Sequence, residues 1–347
     1  MSDPALQALF ERLRTTGPTR KLLIADEHLD CAALLQLKAI PDLQLLTNRH
    51  DILQCAQQAG LPCVFNDMEL AELEGHFDLI AYRVSKEKAL VHHIINQSAH
   101  RLAAQGTLLL AGYKDEGTKT YISKAETYFG NKAQISRGER QLQIAELTPA
   151  TLAEPLDDRQ YGELQLIAEQ DDLRIFSKPG QYGWNKIDIG SAHLIDCLRQ
   201  QLQQDVIHPQ TALDLGCGYG YLSLQAARLG IKSITATDNN AAAVFSCRHN
   251  FAENAIIGDV HADDCGANLH AQFDLVLCNP PFHRGFDTEQ ALTEKFLHSA
   301  SRHLQKSGCA LFVVNQFIPL EAVAAPWFRS IELLFRDKQF KVFKLSC

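Results

Sequence analysis

The chain has 347 residues, 46% of them hydrophobic and 21% charged, with a formal net charge of -8. That is an ordinary globular balance with apolar material for two cores, and no run approaches the roughly 18 apolar residues of a membrane span. The negative charge argues against a protein that coats naked nucleic acid by bulk electrostatics and leaves room for a local basic patch only.

Residues 1–16, MSDPALQALFERLRTT, carry neither a basic n-region nor an apolar h-region, so no secretory signal is expected and a cytoplasmic location is. The 10 cysteines are scattered, without CxxC or any Cys/His pair at zinc spacing. Reduced thiols buried in apolar surroundings are expected, and no metal.

In chain order, strand-like runs occur at KLLIADEH (21–28), LQLLTNRH (43–50) and FDLIAYR (77–83). A polar helical stretch then leads to HRLAAQGTLLLAGY (100–113). The series recurs as TALDLGCG (211–218), SITATDNN (233–240), FDLVLCN (273–279) and RHLQKSGCALFVVN (302–315). A period this long means two similar domains and not a solenoid. The expected division is 1–150, a linker over 151–175 and 176–347, because TPATLAEPLDDRQYGELQ (148–165) holds two prolines and little periodicity. Alternating strands and helices predict βαβ units: two α/β domains in tandem, each a mostly parallel sheet with helices on both faces. Ligands in such sheets bind beyond the carboxyl ends of the strands.

In the second copy those ends carry chemistry. The run to Asp214 enters a turn with Gly216, Gly218 and Gly220, which lets the backbone approach a ligand closely. The turn by itself would equally suit a dinucleotide. Asp214 favours a ligand bearing an ammonium and a sulfonium, since a carboxylate there would repel a pyrophosphate. Asp238, ending the next strand, can accept ribose hydroxyls. In HADDCGANL (261–269), Asp263 or Asp264 can accept an adenine amine. This order points to S-adenosylmethionine. Each aspartate taken singly also suits a helix cap or a solvated loop.

The run FDLVLCNPPFHRG (273–285) ends in Asn279-Pro280-Pro281-Phe282. Two prolines fix φ and remove N–H donors, giving a stiff corner. The Asn279 side-chain oxygen and the Pro280 carbonyl can accept both hydrogens of an exocyclic base amine. That amine is a poor nucleophile while its lone pair is delocalised, and two acceptors favour a pyramidal nitrogen aimed at a methyl donor. Positioning and fixed dipoles then supply the acceleration. Phe282 offers a stacking face for a base swung out of its helix, and His283 and Arg284 can touch phosphate or sugar. The alternative is a proline-stiffened turn with solvated neighbours.

Residues 175–347 resemble the small-domain S-adenosylmethionine methyltransferases with an Asn-Pro-Pro-(Phe/Tyr) motif. The whole chain resembles the bacterial rRNA guanine-N2 methyltransferases built from two such Rossmann-like domains. NPPFHRGFDT (279–288) and NQFIPLEAV (315–323) are similar to the small-subunit members, and KQFKVFKL (338–345) to the end shared with the large-subunit ones. The resemblance implies S-adenosylmethionine held by Asp214, Gly216, Cys217, Gly218, Gly220, Asp238, Asn239, Asp263, Asp264 and Asn279. It implies catalysis by Asn279, Pro280 and Phe282, with Pro281, His283 and Arg284 against the substrate. The implied partner is rRNA or a ribosomal subunit, the small one favoured, with no membrane and no oligomer required. GWNKIDIGSAHLID (183–196), with Trp184, Asp188 and Gly190, is similar to the family's segment that helps cover the cofactor.

In the first copy these positions have decayed. IADEHLD (24–30) lacks glycine, Asn48 replaces the ribose-binding acid, and Arg83-Val84-Ser85-Lys86 stands where Asn-Pro-Pro-Phe is expected. This copy is expected to do no chemistry. Arg83, Lys86, Lys114, Lys119, Lys124 and Lys132 are candidate RNA contacts, although a solvated face explains any one of them equally well. The other readings are a large-subunit enzyme, a non-catalytic RNA-binding module and a dehydrogenase. The last lacks a catalytic His/Arg/Lys set and leaves the two prolines unexplained.

Overall fold

Each apolar run becomes an interior strand, because a parallel sheet covered on both faces buries side chains of both parities. The computed structural model describes residues 3–17, 19–281 and 286–347. The chain divides into two compact units, Met1–Glu163 and Leu164–Cys347.

The first unit runs α1 (Pro4–Thr15), β1 (Lys21–Ala25), α2 (Cys31–Leu34), β2 (Leu43–Thr47), α3 (His50–Ala59) and β3 (Cys63–Phe65). It continues with β4 (Phe77–Arg83), α4 (Lys88–Arg101), β5 (Leu102–Tyr113), α5 (Thr118–Phe129), β6 (Gln134–Arg137) and β7 (Leu142–Leu147). The second opens with a hairpin, β8 (Gln165–Gln170) and β9 (Leu173–Ser177). Then come α6 (Ile189–Gln203), β10 (Thr211–Leu215), α7 (Tyr221–Arg228), β11 (Ser233–Asp238), α8 (Ala241–Glu253), β12 (Gly258–Ala262) and β13 (Phe273–Cys278). It closes with α9 (Phe286–His303), β14 (Leu304–Asn315), α10 (Leu320–Ala324), β15 (Ser330–Arg336) and β16 (Phe340–Ser346).

The two seven-stranded sheets have one topology: β3-β2-β1-β4-β5-β7-β6 in the first unit and β12-β11-β10-β13-β14-β16-β15 in the second. In each, the first five strands pair in parallel and the last two pairings are antiparallel, so that only the sixth strand in the order runs against the rest. Both are Rossmann-like. The repeat extends to irregularities. The register of β4 on β5 slips between Phe77 and Leu79, and that of β13 on β14 slips between Phe273 and Leu275. The Phe-Asp pair opening both strands has one job in each copy. Asp78 accepts from the Arg20 backbone N–H, and Asp274 from those of Gln210 and Thr211, all at 2.9 Å, tying the start of the neighbouring strand.

Each sheet has a core on both faces. In β10, Ala212 packs on the side of α6, α7 and α8, whereas Leu213 and Leu215 face α9. Asp214 shares the parity of Ala212.

The segment expected as a linker divides between the units. Its first part is an irregular strap held by side chains of the first unit: Asn96 bonds both backbone groups of Leu156 at 2.8 Å, and the Tyr161 hydroxyl donates to Asp67 at 2.9 Å. The rest is the β8–β9 hairpin. The expectation of reduced cysteines also needs correction. Cys31, entering α2, is joined to Cys55 of α3, with 5.6 Å between their Cα atoms, inside the span a disulfide requires. Their separation of 24 residues matches no short motif, so only the fold reveals the pair. Among the described residues no helix is long and apolar enough to cross a membrane.

Candidate functional site

In the second unit, the carboxyl ends of β10, β11 and β13 converge on the glycine turn. Gly216, Gly218 and Gly220 have φ of +74°, +54° and +90°, a region only glycine enters without strain. A Cβ on Gly220 would lie 2.7 Å from the Cys247 sulfur, and one on Gly216 would press on Phe296 at 3.2 Å. At Gly218 the nearest atom would be Gln181 Oε1, at 3.9 Å. Gly216 and Gly220 are therefore packing glycines, and Gly218 is where the backbone lies open. Cys217 is buried with its thiol against Cys247. That partner and burial raise its pKa well above the usual range, so it is a packing thiol.

Asp238 joins this turn. Its Oδ2 accepts from the Gly218 N–H at 2.9 Å and its Oδ1 from the Asn240 N–H at 2.8 Å. Asn239 is half-buried beside it, and Asn240 caps α8. Asp214 lies fully buried behind the turn. Its Oδ2 accepts from Ser223 Oγ at 2.7 Å and from the Ser223 N–H at 3.0 Å. Its Oδ1 is buried without a partner. Burial pushes its pKa up to about 7, against the hydrogen bonds from Ser223 and with help from Asp238. The two acids beyond β12 diverge. Asp263 is buried and holds the Asn268 backbone at 3.0 Å, whereas Asp264 is ion-paired with Lys295 of α9.

Asn279 leaves β13 as a half-buried residue. Its amide nitrogen donates to Asp188 Oδ2 and Ser191 Oγ, both at 2.8 Å, and its Oδ1 is buried without a partner among the described residues. Pro280 is buried and Pro281 exposed. Phe282, His283 and Arg284 lie outside the described residues.

Among the described residues, four polar atoms at this end of the sheet are thus buried and unsatisfied: Gln181 Oε1, Asp214 Oδ1, Thr237 Oγ1 and Asn279 Oδ1. Buried polar groups left unpaired are uncommon and call for a missing partner. A ligand bearing an ammonium, hydroxyls and amines fits this set, and the carboxylates of Asp214 and Asp238 favour a cation. These residues fit S-adenosylmethionine. Gln181 and Thr237 escaped the sequence reading, since neither carries a motif. Only the fold brings the stretch before α6 to the glycine turn, where Gln181 donates to Ser246 at 2.7 Å.

At the matching end of the first sheet, side chains at the ends of β1 and β4 are taken up by protein partners, while Asn48 Oδ1 and His50 Nδ1 after β2 are buried without a partner among the described residues. By strand register Ala25 holds the place of Gly216 in the repeat, and Asp26 that of Cys217. Asp26 accepts from His28 Nδ1 at 2.7 Å and from the Tyr82 hydroxyl at 3.2 Å. Burial would raise the Asp26 pKa, but His28 outweighs it and holds the carboxyl below its usual range. Arg83 is no candidate RNA contact. Its side chain is 4% exposed and sits between Asp3, at 2.8 Å, and Glu116, at 2.6 Å. Lys86, Lys114, Lys119 and Lys132 are exposed, whereas Lys124 is half-buried beside His92.

Residues 172–344 match the family model described as methyltransferase small domain. The chain is 29% identical to the ribosomal RNA small subunit methyltransferase C of Aeromonas hydrophila, over 99% of both chains. It is 25% identical to the protein of that name from Hahella chejuensis, over 99% of this chain and 98% of the other. Among solved structures it is similar to the T. thermophilus 16S rRNA N2 G1207 methyltransferase, in complex with AdoMet and guanosine. The TM-score is 0.84 at 24% identity, covering 99% of this chain and 92% of that one, a likeness of fold across both units.

Proposed function

Because its second half makes this chain a member of the methyltransferase small domain family, we propose that it methylates the exocyclic N2 amine of a guanine in 16S rRNA. The product is N2-methylguanosine and the donor S-adenosylmethionine. The observation that carries this reading is the buried, unpartnered Asn279 Oδ1, an acceptor held at the strand end beside the glycine turn. An exocyclic amine supplies the donor it lacks. The small-subunit names of relatives aligned over nearly the whole chain support the choice of RNA.

When bound, S-adenosylmethionine supplies an electrophilic methyl on a sulfonium. The open backbone at Gly218, the Asp238 carboxylate, the Gln181 oxygen and Asp214 behind the turn would hold it. Asn279 Oδ1 and the Pro280 carbonyl hold the two amine hydrogens, so the nitrogen lone pair is directed and not conjugated. Charge developing on that nitrogen is stabilised by the same fixed acceptors, which need no reorganisation. No strong base is needed, because the product ammonium is acidic. The first unit does no chemistry and offers Lys86, Lys114, Lys119 and Lys132 to RNA. The reading invokes no second copy of the chain and places the enzyme in the cytoplasm.

Incubation with labelled methyl donor and separated ribosomal subunits, followed by mapping of the base, tests this. A single N2-methylguanosine in the small subunit or its free RNA is expected. Label confined to the large subunit, or found on adenine, would overturn it.

A further inference from the structure

An asparagine amide is nearly symmetric in shape but opposite in chemistry at its two ends. Turned one way, Asn279 offers an acceptor to a substrate amine. Turned the other way, it sets two donors against two donors and repels it. Asp188, as a carboxylate, only accepts, so the end of the amide facing it must be the nitrogen. Ser191 Oγ, on the first turn of α6, accepts from the same nitrogen, both contacts being 2.8 Å. We infer that Asp188 and Ser191 are positioning residues that fix the orientation of the Asn279 amide, leaving Oδ1 as the acceptor for the target amine. This rests on the proposed amine methylation.

Three further features fit. Asp188 is itself anchored as the N-cap of α6, its Oδ2 accepting from the Ser191 N–H at 2.8 Å. One oxygen thus starts the helix and grips Asn279, so the amide is referenced to a rigid element. Next, a Cβ on Gly190 would lie 3.1 Å from that oxygen and 3.0 Å from the Phe340 ring. Glycine between Asp188 and Ser191 leaves room for the arrangement. Finally, donation to a carboxylate polarises the amide and makes Oδ1 a stronger acceptor.

The test separates orientation from folding and from the functional reading. Asp188→Ser keeps a good N-cap with a side chain too short to reach Asn279, and Ser191→Ala leaves its backbone N–H in place. The double variant should keep its cofactor affinity in calorimetry and its cooperative unfolding. Its turnover should fall on the order of 100-fold, the usual penalty for a misplaced catalytic group. With 15N-labelled asparagine, the Asn279 side-chain amide should exchange slowly with water in the cofactor-free wild type and rapidly in the double variant. A reversed pair gives a second route. Asn279→Asp sets two carboxylates face to face and should be inactive, and adding Asp188→Asn restores a donor and an acceptor and should recover at least about tenfold. Slow exchange persisting in the double variant, or a reversed pair no better than Asn279→Asp, overturns the inference. A wild type silent toward every RNA overturns the functional reading instead, and the exchange measurement still decides the pairing.

Discussion

Arg83 and Asn279 occupy the same place in two copies of one sheet. β4 pairs with β1 to Tyr82 and β13 pairs with β10 to Cys278, and each of these residues is the next along its chain. Asn279 presents an unpartnered oxygen there, whereas Arg83 spends its guanidinium on Asp3 and Glu116. Beside Arg83, the Tyr82 hydroxyl donates to Asp26 at 3.2 Å. The strand end that leaves an acceptor open in one copy carries a side chain paired within the protein in the other.

This pairing predicts a stability role for Arg83. Arg83→Met leaves two carboxylates facing each other without their cation, and losing one partner of a buried pair costs about 3 kcal/mol or more. Urea unfolding should show the loss, and adding Glu116→Gln should return part of it. Calorimetric affinity for the cofactor should not change. A drop in that affinity would mean the first unit shares in binding.

The parts of this architecture that sequence reveals are local. The glycine turn, Asp238 and the Asn-Pro-Pro corner are each a few adjacent residues with one conformational demand. The Phe-Asp openings repeat because each aspartate ties the next strand. What sequence hides depends on distance along the chain. Asn279 finds Asp188 and Ser191 across separations of 91 and 88 residues. Arg83 reads as a surface cation until Asp3 and Glu116 fold onto it, 80 and 33 residues away. The strap near Leu156 lacks periodicity because side chains of α4 satisfy its backbone.

Asn279→Ala should remove the amine acceptor and little else. Deleting one preorganised group of this kind lowers the chemical step by on the order of 100- to 1,000-fold. Single-turnover methyl transfer should show that loss while calorimetric affinity for S-adenosylmethionine stays close to wild type. Unimpaired turnover would remove Asn279 from the catalytic group.

Asp238→Ala should act on the donor's affinity first. The carboxylate holds the Gly218 and Asn240 N–H groups, and on the proposed reading it also accepts from ribose hydroxyls. Loss of hydrogen bonds to a charged acceptor should weaken binding by about tenfold or more, on the order of 1.5–3 kcal/mol. Isothermal calorimetry decides it, and an unchanged dissociation constant would exclude the ribose role.

Asp214 gives the fold a pH signature with a definite sign. Its pKa rises from 3.8 to about 7 on burial. Between those values the native protein holds a proton that the unfolded chain has released, so raising the pH across this window destabilises the fold. The contribution is complete below pH 3.8 and gone above about 7. Asp214→Asn keeps an acceptor for Ser223 but cannot ionise, so its stability should lack this component. Urea titrations at pH 5 and pH 8 should show the wild type losing on the order of 3 kcal/mol more than the variant. A cationic ligand near Oδ1 favours the ionised form, so S-adenosylmethionine binding at pH 6 should release close to one proton. Calorimetry in buffers of different ionisation enthalpy reads that number, and no release would separate Asp214 from the ligand's charge.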